Sequence, residues 1–172
     1  MAIRPATESD VPVVRSLLRA YCDFYAASPS ESSLERMVWA LIAAPDHEGF
    51  LLVAEDDESA EVVGLAACGW KWSSLRAARV VVLEDLFVAE AARGRGHADA
   101  LIAATAEIAR RHGAPAVTWL TREENYRARA VYDRAGGRSE LFLEYELKIS
   151  PGAGPVGARP GKASGQSAAA QA

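Results

Sequence analysis

Residues 80–98, VVVLEDLFVAEAARGRGHA, decide how this chain folds. The stretch opens on Val80, Val81, Val82 and Leu83, the composition of a strand covered on both faces. Two adjacent carboxylates, Glu84 and Asp85, interrupt it before Leu86, Phe87 and Val88 resume. Burying an unpaired charge is costly. The pair therefore reads either as a sheet-edge feature matched by a cation such as Arg79, or as part of a site. Successive strand residues face opposite sides, so both carboxylates reach one pocket only if the strand bulges between them. A short loop then leads to Arg93-Gly94-Arg95-Gly96-His97-Ala98, where a helix begins. The first turn of a helix leaves N–H groups without partners, and its dipole makes that end positive. Glycines let the backbone approach a phosphate closely, and Arg93 and Arg95 add charge. The loop predicts a bound phosphate or pyrophosphate; the plainer alternative is a glycine-rich turn with solvated arginines. A dinucleotide fingerprint is excluded, because Asp99 stands where its third glycine belongs and the strand is the fourth rather than the first. A Walker loop is excluded by the lack of Gly-Lys-Ser/Thr in this segment.

Outward from this unit, the periodicities predict alternating elements. Ala2–Ala6 forms a short strand. Val14, Leu17, Leu18, Tyr21 and Tyr25 recur at spacings of three and four, an amphipathic helix over Val11–Tyr25 ended by Pro29. Ser30 or Ser32 caps a second helix with the stripe Leu34, Met37, Val38, Leu41, Ile42, closed by Pro45. Phe50–Glu55 and Glu61–Trp72 form a hairpin around Asp56–Ser59, and Ala78–Val88 is the buried strand that follows. A helix over Gly94–His112 ends at Gly113 and Pro115. Ala116–Leu120 is a strand, Asn125–Ala135 a helix, and Leu141–Ile149, with Leu141, Leu143, Tyr145 and Leu147 alternating, a last antiparallel strand. The order predicts a mixed α/β (α+β) sheet domain over residues 1–149. Residues 150–172 are almost wholly Gly, Pro, Ala, Ser and Gln and are expected to form a disordered tail. Gly161-Lys162 in that tail lacks the remaining residues of a phosphate loop.

Composition narrows the function. The 172 residues are 50% hydrophobic and 24% charged, as in one ordinary globular domain. A net charge of -4 argues against a nucleic-acid binder. No apolar run reaches about 18 residues, so no membrane partner is expected. The N-terminus carries Arg4, Glu8 and Asp10 rather than an apolar signal, which predicts a cytoplasmic protein. Cys22 and Cys68 read as small buried apolar residues. His47, His97 and His112 lack ligand spacing with Cys or Asp, so no metal is expected.

Arg93–Ala98 resembles the Arg/Gln-x-x-Gly-x-Gly/Ala signature of the GNAT superfamily, the acetyl-coenzyme A-dependent N-acetyltransferases. Asn125, Ala128, Val131, Tyr132 and Gly136 match a second motif, Asn-x-x-Ala-x-x-apolar-Tyr-x-x-x-Gly. The resemblance covers about residues 2–149 and departs at Gly137, where the family usually has Phe. It implies a central, mostly antiparallel sheet, splayed at the fourth strand and flanked by about four helices. It further implies that Leu86, Phe87 and Val88 pair with the pantetheine arm and that Arg93, Gly94, Arg95, Gly96, His97 and Ala98 hold the pyrophosphate. Asn125 joins this cofactor site. It shares a helix face with Tyr132, two turns on, which would stand beside the thioester sulfur and protonate the departing thiolate. Alone, Tyr132 reads equally as a core aromatic.

The attacking amine must be neutral, and Glu84 is the candidate base, acting through water. Asp85 is a candidate contact for the substrate ammonium. Leu83–Val88 also looks like the matching stretch of the spermidine/spermine and thialysine acetyltransferase branch, which implies a cationic, polyamine-like acceptor. Trp70 and Trp72 share one strand face, and either wall the acceptor pocket or pack the sheet against a helix. The resemblance places the first two helices over the acceptor, which makes Asp23 a candidate amine contact, against a solvated carboxylate beside Tyr21, Phe24 and Tyr25. The implied function is acetyl transfer from acetyl-coenzyme A to a small-molecule primary amine, by direct attack in a ternary complex. A homodimer is compatible with the resemblance. The alternatives are a protein N-terminal or lysine acetyltransferase and a non-catalytic acyl-CoA-binding module.

Overall fold

In a computed structural model, residues 1–149 of the chain are described. The expected tail, residues 150–172, lies outside them. The chain divides into a unit spanning Met1–Arg138 and a second beginning at Ser139. The first runs β1 (Ala2–Pro5), α1 (Val11–Phe24), α2 (Glu31–Ala43), β2 (Gly49–Glu55), β3 (Val62–Ser73), β4 (Ala78–Val88), α3 (His97–Arg111), β5 (Val117–Thr118) and α4 (Tyr126–Arg134). The five strands form one sheet in the order β1-β2-β3-β4-β5, antiparallel except for the parallel pair β4–β5. This is the mixed α/β architecture that the resemblance implies, with four helices about a mostly antiparallel sheet.

The strand pattern explains the layering. β2 is buried from Gly49 to Ala54. Phe50, Leu52 and Ala54 join a core with Leu101, Ile102 and Ala109 of α3, whereas Leu51 and Val53 join a second core with Val14, Leu17, Leu18, Leu34 and Val38 of α1 and α2. A continuous apolar run is what a strand covered on both faces requires. Thr7 and Asp10 form a capping box before α1, and the Ser30 side chain accepts from Ser33 N at 3.2 Å to cap α2.

β4 changes phase midway. Ala67 lies opposite Asp85 and Cys68 opposite Leu83, so Glu84 is the extra residue of a β-bulge. Before it, Val81 and Leu83 face the α3 core; after it, Leu86 and Val88 do, and Phe87 turns to the α1–α2 core. β5 pairs only with Val81 and Val82, so β4 continues from Leu83 to Val88 with no strand neighbour on that side among the described residues. The sheet opens there, as the sequence motifs imply for the fourth strand.

Three boundaries differ from the sequence reading. α3 starts at His97 rather than Gly94, because Gly94 (φ +80°) and Gly96 (φ +85°) adopt left-handed backbone that a helix cannot include. β5 has two residues rather than five, because the open edge of β4 gives the rest no ladder. Leu141–Ile149, expected as a strand, has no regular secondary structure, and Leu141, Leu143, Tyr145 and Leu147 are exposed. Alternation marks a stretch able to be a strand, but pairing creates one.

Candidate active site

The split between β4 and β5 forms a cavity of about 330 Å³. Leu86, Phe87 and Val88 line it from β4, Asn125, Ala128 and Tyr132 from α4, and Tyr21 and Tyr25 from α1. Glu84 lies on the same wall, because the bulge places it and Leu83 at the opening. The apolar stripe that the sequence assigns to α1 thus has two destinations. Val14, Leu17 and Leu18 enter the core, and Tyr21 and Tyr25 run past its edge into the cavity.

At one end stands the glycine loop. Gly96 caps α3, and Ala100 N donates to Gly96 O at 3.0 Å. The N–H groups of His97, Ala98 and Asp99 precede the first bond of that helix and are available to an anion. Arg93 and Ala98 reach the cavity. Arg93 Nε donates to Val88 O at 2.9 Å, and its guanidinium lies over the Phe87 ring at 5.8 Å. Arg95 donates to Asp56 Oδ2 at 2.7 Å. His97 is buried 3.8 Å from the same oxygen, and neither ring nitrogen has a hydrogen-bond partner among the described residues. Asp56 also accepts from Glu58 N and Ser59 N, and these hydrogen bonds, with Arg95, hold its carboxyl below the usual range. The β2–β3 turn is thereby fastened to the loop.

At the other end stands Tyr132. Its ring packs on Trp119 at 5.3 Å, and burial raises its hydroxyl above the ordinary phenol value. It is therefore protonated at neutral pH. Asn125 Oδ1 accepts from Ala128 N at 3.2 Å and caps α4, which leaves its NH2 group as a donor. Asp85 points the other way from Glu84, toward Tyr21. Burial holds its carboxyl above the usual value, and the nearby Tyr21 hydroxyl partly offsets this.

The structure brings Glu84, Leu86, Phe87, Val88, Arg93, Ala98, Asn125 and Tyr132 to one cavity; Gly94, Arg95, Gly96 and His97 sit in the adjoining loop and helix start without lining it, and Asp85, Trp70, Trp72 and Asp23 lie elsewhere. Trp70 donates Nε1–H to Pro45 O at 2.8 Å, packs on Phe50 and His112, and carries the Arg79 guanidinium on its face at 4.8 Å. Its place is the packing of the sheet, and Trp72 is exposed nearby in β3. Asp23 is exposed on α1, outside the cavity lining, because its neighbours Tyr21, Phe24 and Tyr25 take that face. Asp85 contacts Tyr21 instead of lining the cavity. Sequence reasoning missed Asp56, Trp119 and Leu120. The first looks like an ordinary turn residue, and no motif includes the other two. No group of three or more metal-ligand residues, and no helix long and apolar enough to cross a membrane, occurs among the described residues.

A model of the Acetyltransferase (GNAT) family matches residues 14–137. YhfO of Bacillus subtilis (strain 168), an uncharacterized N-acetyltransferase, is 31% identical over 150 residues, 87% of this chain and 98% of that protein. HPA3 of Saccharomyces cerevisiae, a D-amino-acid N-acetyltransferase, is 32% identical over 91 residues, 53% of this chain and 56% of that protein. A crystal structure of a probable acetyltransferase superposes with a TM-score of 0.76 at 29% identity, covering 87% of this chain and 99% of the other.

Proposed function

The chain belongs to the GNAT acetyltransferase family, and from that premise we propose that it transfers the acetyl group of acetyl-coenzyme A to the primary amine of a small molecule, by direct attack while both are bound. One observation carries the reading. The bulge at Glu84 and the short β5 together put a carboxylate, a protonated phenol and a helix N-terminus around a single cavity.

The residues present fit the donor. The N–H groups of His97, Ala98 and Asp99, with left-handed Gly94 and Gly96, suit a pyrophosphate. The side of β4 that β5 leaves free at Leu86–Val88 suits the amide groups of a pantetheine arm, which adds like a strand. The free NH2 of Asn125 adds a donor on the facing wall. Acetyl-coenzyme A supplies an acetyl thioester when bound.

Glu84 takes a proton from the incoming ammonium through a water, which frees the nitrogen lone pair. The C–N bond forms as the C–S bond breaks, and the second proton of the attacking nitrogen passes through water to restore the Tyr132 hydroxyl. Tyr132 gives its hydroxyl proton to the departing sulfur, and its environment keeps that proton in place until then. Neither step uses a cysteine. Cys68 is buried against Thr105, with its thiol pushed up to about 12. The test is acetyl-coenzyme A-dependent thiol release with a panel of primary amines. Release that rises with added amine supports the reading; release at the same rate without amine contradicts it.

A further inference from the structure

Resting on that reading, we infer that the acceptor is a small amine with a single ammonium group on an aromatic or branched apolar body, rather than a polyamine or a polycationic sugar. Charge on the cavity wall is the first ground. Glu84 is its one carboxylate among the described residues; of the two guanidinium groups in the lining, Arg93 belongs to the glycine loop at the donor end, which leaves Arg127. One carboxylate pairs one ammonium. A second ammonium in the same space meets the Arg127 guanidinium and no carboxylate of the lining, and an unpaired charge taken out of water is strongly disfavoured. The other acidic residues nearby do not change this count. Asp85 is turned to Tyr21, and Asp23 lies outside the lining on the exposed side of α1.

The second ground is apolar surface with no core to join. Phe24 is 67% exposed and Leu120 73% exposed, and both border the cavity. Phe24 packs edge-on against Tyr25 at 5.0 Å, which continues an aromatic wall inward to Tyr21. Large apolar side chains grouped at a cavity mouth mark a binding surface for an apolar partner. Size is the third ground. About 330 Å³ lies at the low end for ligand pockets, and the thioester arm shares it. The resulting picture has an ammonium at Glu84 and an apolar body along Tyr21, Tyr25 and Phe24, with Leu120 adding apolar surface to the lining. This departs from the polyamine-like acceptor implied by the resemblance of Leu83–Val88.

The experiment compares kcat/KM for 2-phenylethylamine and isoamylamine with that for spermidine and kanamycin, using the full chain. The apolar monoamines are expected to be favoured by at least about tenfold. Phe24→Ser and Leu120→Ser are expected to raise the KM for 2-phenylethylamine by about tenfold while the thermal shift with acetyl-coenzyme A persists. Equal or better turnover of spermidine or kanamycin overturns the inference, as does an unchanged KM in both variants. Binding of acetyl-coenzyme A without turnover of either monoamine also overturns it, but leaves the donor site standing. Absence of acetyl-coenzyme A binding overturns the transferase reading itself, and this inference with it.

Discussion

A Cβ on Gly137 would stand 3.0 Å from Trp119 Cζ2 and 3.0 Å from the Tyr132 carbonyl oxygen. The sequence motif leads one to expect Phe there, and the structure explains the glycine. The Trp119 indole occupies that space from the other side and packs on the Tyr132 ring, and Gly137 N donates to Tyr132 O at 2.9 Å. Gly137→Phe is expected to destabilise the fold by about 1–3 kcal/mol, read by thermal melting, with partial recovery when Trp119→Ala is added. An equally stable single variant would mean that the indole does not hold that space. Tyr132→Phe keeps the ring packing and removes the hydroxyl. Turnover at neutral pH is expected to fall by about a hundredfold or more, with binding of acetyl-coenzyme A retained. Tyr132 was legible because it falls in the second motif of the family resemblance, whose spacing puts it on one helix face with Asn125. Trp119 was not, because its partners are set by tertiary packing across α4.

At the scale of elements, the β2–β3 turn and the N-terminus of α3 act together through Asp56. Its carboxylate is buried, receives Arg95, and stands beside a buried His97. Asp56→Asn removes the charge and keeps the turn hydrogen bonds to Glu58 N and Ser59 N. The expected result is a KM for acetyl-coenzyme A raised about tenfold with kcat little changed, since the loop positions the donor and not the reacting atoms. A drop in kcat alone would count against this role. Most elements were readable, because β4 and the helices carry their periodicity locally. The bulge was readable only as a condition for two adjacent carboxylates to share a pocket. In the event they separate, Glu84 to the cavity and Asp85 to Tyr21. The strand expected at Leu141–Ile149 shows the limit of pattern. Alternation specifies a face and leaves the partner strand unspecified.

For the whole molecule, titration of buried groups shapes stability. Arg4 grips Asp10 through two hydrogen bonds of 2.7 and 2.9 Å, and Thr7 N adds a third at 2.7 Å, so the Asp10 carboxyl is held well below its ordinary 3.8. Its contribution is present above that value and is lost as pH falls below it. The Cys68 thiol runs the other way, from 9.0 up to about 12, because burial disfavours the thiolate. Its contribution is whole below pH 9.0 and is lost as pH rises toward about 12. Burial raises the Tyr21 hydroxyl too, which steepens the same alkaline limb. Melting temperature is expected to decline on both sides of a plateau, and Cys68→Ala is expected to flatten the alkaline side. An unchanged alkaline limb in that variant would assign it to other groups.

The central claim is the donor site at the split between β4 and β5, and thermal melting with acetyl-coenzyme A, beside ATP and NADH at equal concentration, tests it most directly. A ligand at about 100 times its dissociation constant stabilises a fold by roughly 2.7 kcal/mol, a rise of about 5–10 °C at this chain length. The account predicts that rise with acetyl-coenzyme A and little change with ATP or NADH. No rise with acetyl-coenzyme A, or an equal rise with all three, would contradict it.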